Sequence, residues 1–357
     1  MSNCLREAVL NVAEQMRARS RHRPVAKLPL KDCFRTRQAV QARCSSRPSA
    51  NGCGRRRTVC YRPEAAIRDT AIDATTCCLS LEVWLGSISR NIFHRNFLMA
   101  LPNTFESLLQ ELSDLGLSAG MTVMVHSSLG KVEWTVGGPV TVVRALLEAL
   151  GAEGTLVMPA ESPEVSDPKT WNDDRVKVEW HDAIRSHLPV FDPLTTPTTM
   201  GAIPEAFRTF PGTLRSNHPM VSVCANGRLA SEITKEHSME FCEGRGSPFE
   251  KLYNLDAHTL LLGVGFDRCT SLHYAESLVP QRRTTVHRFP MIENGERVWV
   301  EKPDMANDDG VHFPVVGDQF VATNSIRAGR VGNADGMLFP TRKLVDFAEA
   351  YFDRVLS

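Results

Sequence analysis

One stretch constrains the fold more than any other: Thr259-Leu-Leu-Leu-Gly-Val-Gly-Phe-Asp-Arg-Cys-Thr-Ser-Leu-His-Tyr-Ala-Glu276. It opens with a short apolar run, Leu260 to Leu262, whose length and Gly boundary fit a buried strand. Gly263 and Gly265 then allow a tight turn and let main-chain N–H groups approach a ligand. Thr270 and Ser271 are good N-cap residues for the helix that should follow. His273 and Glu276 are three apart, so they share one face of that helix's first turn. A strand, a Gly-bearing loop and a helix start carrying a His/Glu pair suit an anionic ligand and a proton transfer.

The same rhythm runs through the chain from Met99. Phe105, Leu108, Leu109, Leu112 and Leu115 fall at helical spacing, with Gly116 as a stop. Met121–Val125 reads as a strand running into His126-Ser-Ser-Leu-Gly130, and Gly137-Gly-Pro139 opens a helix with Val142, Val143, Leu146, Leu147 and Leu150 on one face. Thr155–Met158 is a further strand. Residues 161–199 are polar and rich in Pro, Asp and Trp, which predicts a long excursion over the site. A helix over Ile203–Phe210, a strand over Val221–Ala225, a helix from Leu229, a β-rich return from Thr284 to Val300 and a C-terminal amphipathic helix, Leu344–Val355, follow. Alternating strands and helices predict an α/β fold: a three-layer αβα arrangement with a largely parallel central sheet, plus a small β-rich C-terminal part. In such sheets the ligand crevice lies at the strands' C-terminal ends.

The formal net charge of zero argues against a general nucleic-acid binder, yet it conceals an asymmetry. Residues 1–98 carry 16 Arg and 2 Lys against 7 acidic residues, and hold seven of the ten cysteines. Three readings stand for this segment: a disordered basic tail, an Arg-rich transit peptide, or an over-long translation with the start at Met99. The last is favoured, because the patterning begins at Met99; residues 99–357 are then one catalytic domain. Cys224, Cys242 and Cys269 show no metal-like spacing, so a reduced, cytoplasmic protein without a disulfide framework is expected. No apolar run approaches the roughly 20 residues of a membrane helix, and no membrane partner is expected.

Each candidate has a plainer reading beside it. His126-Ser-Ser128 could hold a carbonyl or phosphate, or supply ordinary turn chemistry. Gly137 and Gly138 could set a diphosphate against a positive helix end, or simply begin a helix. His218, before a strand, is more often a structural histidine than a catalytic one. His273 could accept a proton beside Glu276, or form a surface ion pair with it. Acidic residues cluster in the excursion and the return (Glu161, Glu164, Asp167, Asp192, Glu301, Asp304, Asp308 and Asp309), where they suit a polycation or are merely solvated. No HExxH, Walker A or zinc-ligand spacing is present, so no catalytic metal is expected.

Taken in order, Val125-His-Ser-Ser-Leu129, Val136-Gly-Gly138, Gly154-Thr-Leu-Val-Met-Pro159, Phe191-Asp-Pro193, Met200-Gly-Ala-Ile-Pro204, Arg215-Ser-Asn-His-Pro219, Gly246-Ser-Pro248, Leu260-Leu-Leu-Gly-Val-Gly265 and Thr270-Ser-Leu-His-Tyr-Ala-Glu276 resemble the aminoglycoside 3-N-acetyltransferase family. Gly329-Arg-Val-Gly332 and Leu344-Val-Asp-Phe347 are similar to its closing segment, and residues 1–98 have no counterpart. The resemblance implies acetyl transfer from acetyl-CoA to the 3-amine of a 2-deoxystreptamine antibiotic, hence antibiotic resistance. It makes His273 the general base supported by Glu276. It implies coenzyme A contacts at His126, Ser127, Ser128, Gly137, Gly138, Thr270 and Ser271, and places the antibiotic against Glu161, Glu301 and Asp304. Two alternatives are kept: the same chemistry on another amine, and a non-catalytic CoA-binding protein. A covalent route through Ser127 is the rival mechanism. The sequence does not specify the oligomeric state.

Overall fold

The computed structural model describes residues 101–306 and 310–356; the basic segment 1–98, and with it the choice among its three readings, lies outside the described residues, as do Asp308 and Asp309. The first helix, α1 (Phe105–Leu115), forms where the spacing places it. Thr104 and Ser107 cap each other's backbone, and Gly116 ends the helix at φ 107°. The other described helices are α2 (Leu129–Val132), α3 (Pro139–Leu150), α4 (His181–His187), α5 (Ala202–Arg208), α6 (Ala230–Thr234), α7 (Pro248–Asn254), α8 (Ser271–Leu278), α9 (Phe313–Thr323) and α10 (Thr341–Leu356). The strands are β1 (Thr122–Ser127), β2 (Thr155–Pro159), β3 (Leu214–Arg215), β4 (Val223–Gly227), β5 (His258–Leu262), β6 (Thr284–Glu293), β7 (Glu296–Met305), β8 (Arg327–Val331) and β9 (Ala334–Pro340). Among the described residues no helix is long and apolar enough to cross a membrane.

Seven strands make one sheet in the order β3-β4-β2-β1-β5-β9-β8. Its centre is parallel, with Val123 opposite Leu156 and Val125 opposite Leu260, while β4, β3, β9 and β8 add antiparallel edges. Strand alternation sends neighbouring residues into two cores. Val123, Val125, Leu156, Leu260 and Leu262 pack with α1, α3 and α5 on one face. Met124, Val157 and Leu261 pack with α6, α7, α8, α9 and α10 on the other. The three-layer αβα arrangement follows from this division. The β-rich return is a separate two-stranded hairpin, β6–β7.

Two departures from the sequence reading have local causes. The strand expected over Val221–Ala225 runs instead from Val223 to Gly227, because the Val221 N–H is taken by His218 Nδ1 at 3.0 Å and cannot join the ladder. The helix α9 and the β8–β9 hairpin were not read at all. Arg327, Gly329, Arg330 and Gly336 break the apolar alternation of this hairpin, whose strand β8 forms one edge of the sheet.

Helix α9 meets the sheet through Gly317, where a Cβ would lie 2.1 Å from Phe266 Cγ. Phe266 in turn stacks on Phe339 at 5.5 Å between centroids, which fixes the loop after β5. Gly317→Ala is therefore expected to lower unfolding stability by about 1–3 kcal/mol through overpacking. A denaturant midpoint unchanged from the parent protein would refute this account of the contact.

Candidate active site

The C-terminal ends of β1, β2 and β5, the three parallel strands, open into a cavity of about 920 Å³. Its walls include His126 and Ser127 at the end of β1 and Ser128 just past it, Glu161 after β2, and Asp267, Thr270 and His273 after β5. The topology thus gathers residues more than a hundred positions apart.

The loop after β5 turns at Gly263, with φ 68° and no room for a Cβ, which would sit 2.5 Å from Lys131 Cβ. Its role differs from the expectation in one respect: the Gly263 N–H bonds Asp335 O at 2.8 Å and is not presented to a ligand. Gly265 has φ −93° and needs no left-handed freedom. Thr270 occupies the N-cap position of α8 in a helical conformation without a side-chain cap bond, so the expected capping is absent. Its hydroxyl acts on Glu161 instead. The Ser271 hydroxyl is buried with no hydrogen-bond partner among the described residues.

His273 stands in the first turn of α8. Its Nδ1 lies 2.8 Å from Glu276 Oε2, which leaves Nε2 as the uncommitted nitrogen, and its ring meets Phe313 edge-on at 4.7 Å. Burial disfavours the imidazolium. Glu243, the bond to Glu276 and Glu161 together outweigh it and raise His273 to about 9. Burial and then the Glu243 carboxylate push Glu161 up to about 7, against the opposing pull of His273 and Thr270. Burial raises Glu243 as well. Two carboxylates, Glu161 and Glu243, therefore act on the His273 imidazole in a cavity suited to a cationic ligand.

No motif or spacing in the sequence singles out Glu243. It lies in the irregular loop before α7 and acquires its place only when β5 and α8 are assembled. Asp267, also on the cavity wall, pairs with Arg268 at 3.1 Å. Asp304 is buried at the end of β7; its Oδ1 accepts from the Cys242 and Met305 N–H groups and its Oδ2 lies 2.8 Å from Cys242 Sγ. Burial, then Glu243 and Asp304, holds the Cys242 thiol well above its ordinary value.

Other expected site residues fall elsewhere. Glu301 does not reach the cavity: alternation along β7 turns it away from Asp304, and its 68%-exposed side chain pairs with Arg288 at 3.7 Å. Gly137 and Gly138 lie at the start of α3, outside the cavity walls. Asp167 is committed to Arg185 and Arg288, and Asp192 caps a turn at Leu194 and Thr195. Glu164 is exposed. His218 Nδ1 accepts from the Met220 and Val221 N–H groups, its ring lies 4.8 Å from that of His237, and its buried Nε2 has no hydrogen-bond partner among the described residues. Burial pushes His126 down to about 4, and among the described residues neither its Nε2 nor the Ser127 hydroxyl has a hydrogen-bond partner.

A family model for aminoglycoside 3-N-acetyltransferases matches residues 124–353. The SPbeta prophage-derived aminoglycoside N(3')-acetyltransferase-like protein YokD of Bacillus subtilis (strain 168) is 42% identical over 253 residues, spanning 70% of this chain and 93% of that protein. The YokD crystal structure superposes with a TM-score of 0.70 at 41% identity, covering 72% of this chain and 95% of YokD. The structure of AAC-IIIb in binary complex with CoASH gives 0.63 at 30% identity over 70% and 96% of the two chains. AAC-VIa bound to sisomicin gives 0.64 at 30% identity over 71% and 98%. With this agreement along the patterned part of the chain, the protein is an acyltransferase belonging to the aminoglycoside 3-N-acetyltransferase family.

Proposed function

We propose that the protein transfers the acetyl group of acetyl-CoA directly to the 3-amine of a 2-deoxystreptamine aminoglycoside, with His273 as general base. The single observation that carries this reading is the His273 imidazole, oriented through Nδ1 by Glu276, on the wall of a cavity that also holds Glu161 and Glu243. A polyamine brings ammonium groups to those carboxylates, and its charge weakens their hold on the His273 proton. The amine nitrogen attacks the thioester carbon, its proton passes to His273 Nε2, and the carbon–sulfur bond breaks to release coenzyme A. Glu161 and Asp304 are the proposed acceptor contacts. The relatives bound to CoASH and to sisomicin support donor and acceptor of these classes.

His126, Ser127, Ser128, Thr270 and Ser271 are the proposed contacts to the donor; Gly137 and Gly138, in the separate Val-Gly-Gly motif at the start of α3, are proposed for the same donor although they lie outside the cavity walls. The unpartnered His126 Nε2, Ser127 hydroxyl and Ser271 hydroxyl fit this role, since buried polar groups of this kind ordinarily have a partner. His126 is neutral at physiological pH. The Ser127 hydroxyl has no base bonded to it among the described residues, which favours direct attack over an acetyl-serine route. Burst kinetics or a trapped acetyl-serine would overturn the direct route.

Two outcomes test the reading. In an assay of thiol release from acetyl-CoA with a panel of 2-deoxystreptamine antibiotics, His273→Ala should cut kcat by about 10²–10⁴-fold while acetyl-CoA binding persists. Equal turnover by the variant removes His273 as the base, and silence of the parent enzyme across the panel moves the acceptor to another amine.

The pH profile provides the second test. The base works only when neutral, and His273 is raised to about 9, so kcat/KM should climb with pH between about 7 and 9. Glu243 stabilises the imidazolium. Its replacement in Glu243→Gln removes that charge, lowers the His273 pKa and moves the ascending limb to lower pH. A limb that stays in place in the variant belongs to the substrate amine and refutes the assignment.

A further inference from the structure

Four cavity side chains form a group that the proton transfer does not use as such. Cys242 Sγ lies 2.8 Å from Asp304 Oδ2 and 3.5 Å from Glu243 Oε2, and one ligand atom from each of the three falls within 4.8 Å of the others. His287 Nε2 stands 3.8 Å from the same Asp304 oxygen. All four residues line the cavity, and they converge from the loop before α7 and from both strands of the β6–β7 hairpin. We propose that Cys242, Glu243, Asp304 and His287 form a binding site for a soft divalent cation, zinc foremost, and that its occupation inhibits acetyl transfer.

Donor chemistry selects the cation. One sulfur, one imidazole nitrogen and two carboxylates are the mixed set that tetrahedral zinc takes, whereas magnesium and calcium demand more oxygens and no thiolate. A substrate ammonium would gain little from the thiol, which is a weak acceptor. The spacing suits the ion. Zinc–ligand bonds of about 2.0–2.3 Å give a tetrahedron with edges of about 3.3–3.8 Å. The Cys242–Glu243 and His287–Asp304 separations of 3.5 and 3.8 Å already span such edges. The 2.8 Å contact between Cys242 and Asp304 is a thiol hydrogen bond that opens when its proton is displaced.

The groups are also held in place from behind. Asp304 Oδ1 is fixed by the N–H groups of Cys242 and Met305, which reserves Oδ2 for the cluster. The Cys242 carbonyl is bonded by His237 Nε2 at 2.8 Å, and His237 Nδ1 by the buried Ser216 hydroxyl. Such outer contacts orient ligands at metal sites. On binding, a metal–sulfur bond forms, the thiol proton leaves to solvent through the cavity, and no electron is transferred. The cation withdraws Glu243 from His273 and occupies the acidic end of the cavity, so it competes with the acceptor amine and not with acetyl-CoA. The inhibition rests on the acetyl-transfer reading; the binding does not.

Cobalt(II) titration of the reduced full-length chain separates the two. The thiolate-to-cobalt charge-transfer absorption should report one more bound cobalt in the parent protein than in Cys242→Ser, and zinc should displace it. Asp304→Asn and His287→Ala should each weaken that cobalt by about tenfold or more. Cys269→Ser, altering the other thiol of the cavity wall, should titrate like the parent. Superimposable titrations of the parent and Cys242→Ser, with circular dichroism confirming the fold, overturn the site; if that variant does not fold, unchanged cobalt affinity in both Asp304→Asn and His287→Ala does so. Where turnover is measurable, zinc should raise the KM for the amine and leave that for acetyl-CoA unchanged. Cys242-dependent cobalt binding without such inhibition overturns the inhibitory role, and cobalt binding in a chain that turns over no acceptor supports the site while counting against the acetyl-transfer reading.

Discussion

The chemistry of this fold depends on one electrostatic arrangement: an imidazole drawn out of water together with the carboxylates that keep it charged. Desolvation alone would leave His273 neutral and the glutamates protonated. Their proximity reverses the outcome for His273, which is raised to about 9, and leaves Glu161 poised near 7. A site prepared in this way is not a ready base at neutral pH. In the proposed reaction it becomes one when a polycation takes over the carboxylates, so the acceptor itself releases the base. This ties discrimination to chemistry, since an amine with few charges would leave the His273 proton where it is.

Holding four titratable groups together requires a rigid frame, and the parallel centre of the sheet supplies it. The ends of β1, β2 and β5 deliver His126, Glu161 and the loop to His273, and both faces of those strands are sealed by apolar cores. The close approach of Gly317 to Phe266 and the stack of Phe266 on Phe339 lock the loop that precedes His273. The hairpin β6–β7 then closes the acidic side with Asp304 and His287, anchored to the excursion by Arg288 and Asp167.

Local pattern and local pairs were legible in the sequence. Helix α1 with its Gly116 stop, strands β1, β2 and β5, and the His273–Glu276 spacing all depend on residues within a few positions of one another. What escaped depends on distant groups. Glu243 gains its importance from His273, thirty positions on, and Asp304 joins Cys242 across sixty-two. Glu301 and Asp304 look alike as members of an acidic run, and only the alternation of β7 sends one to solvent and the other to the cavity. His218, a motif residue, accepts through Nδ1 the backbone N–H groups that precede β4, a contact no local spacing announces.

The same remoteness bears on the absence of any metal-ligand spacing in the chain. Short-range spacing finds sites built on one helix or one loop, as in HExxH. Cys242 and Glu243 come from the loop before α7, while His287 and Asp304 come from the paired strands of a hairpin well downstream, and the fold brings the two segments together at the cavity. A cluster of carboxylates that suits the proposed polyamine acceptor draws in positive charge of any kind, and a thiol among them biases the choice toward thiophilic ions. The proposed zinc sensitivity is thus a consequence of acceptor recognition placed beside a cysteine: the carboxylates that would make the pocket attractive to an ammonium group make it attractive to the ion that blocks it.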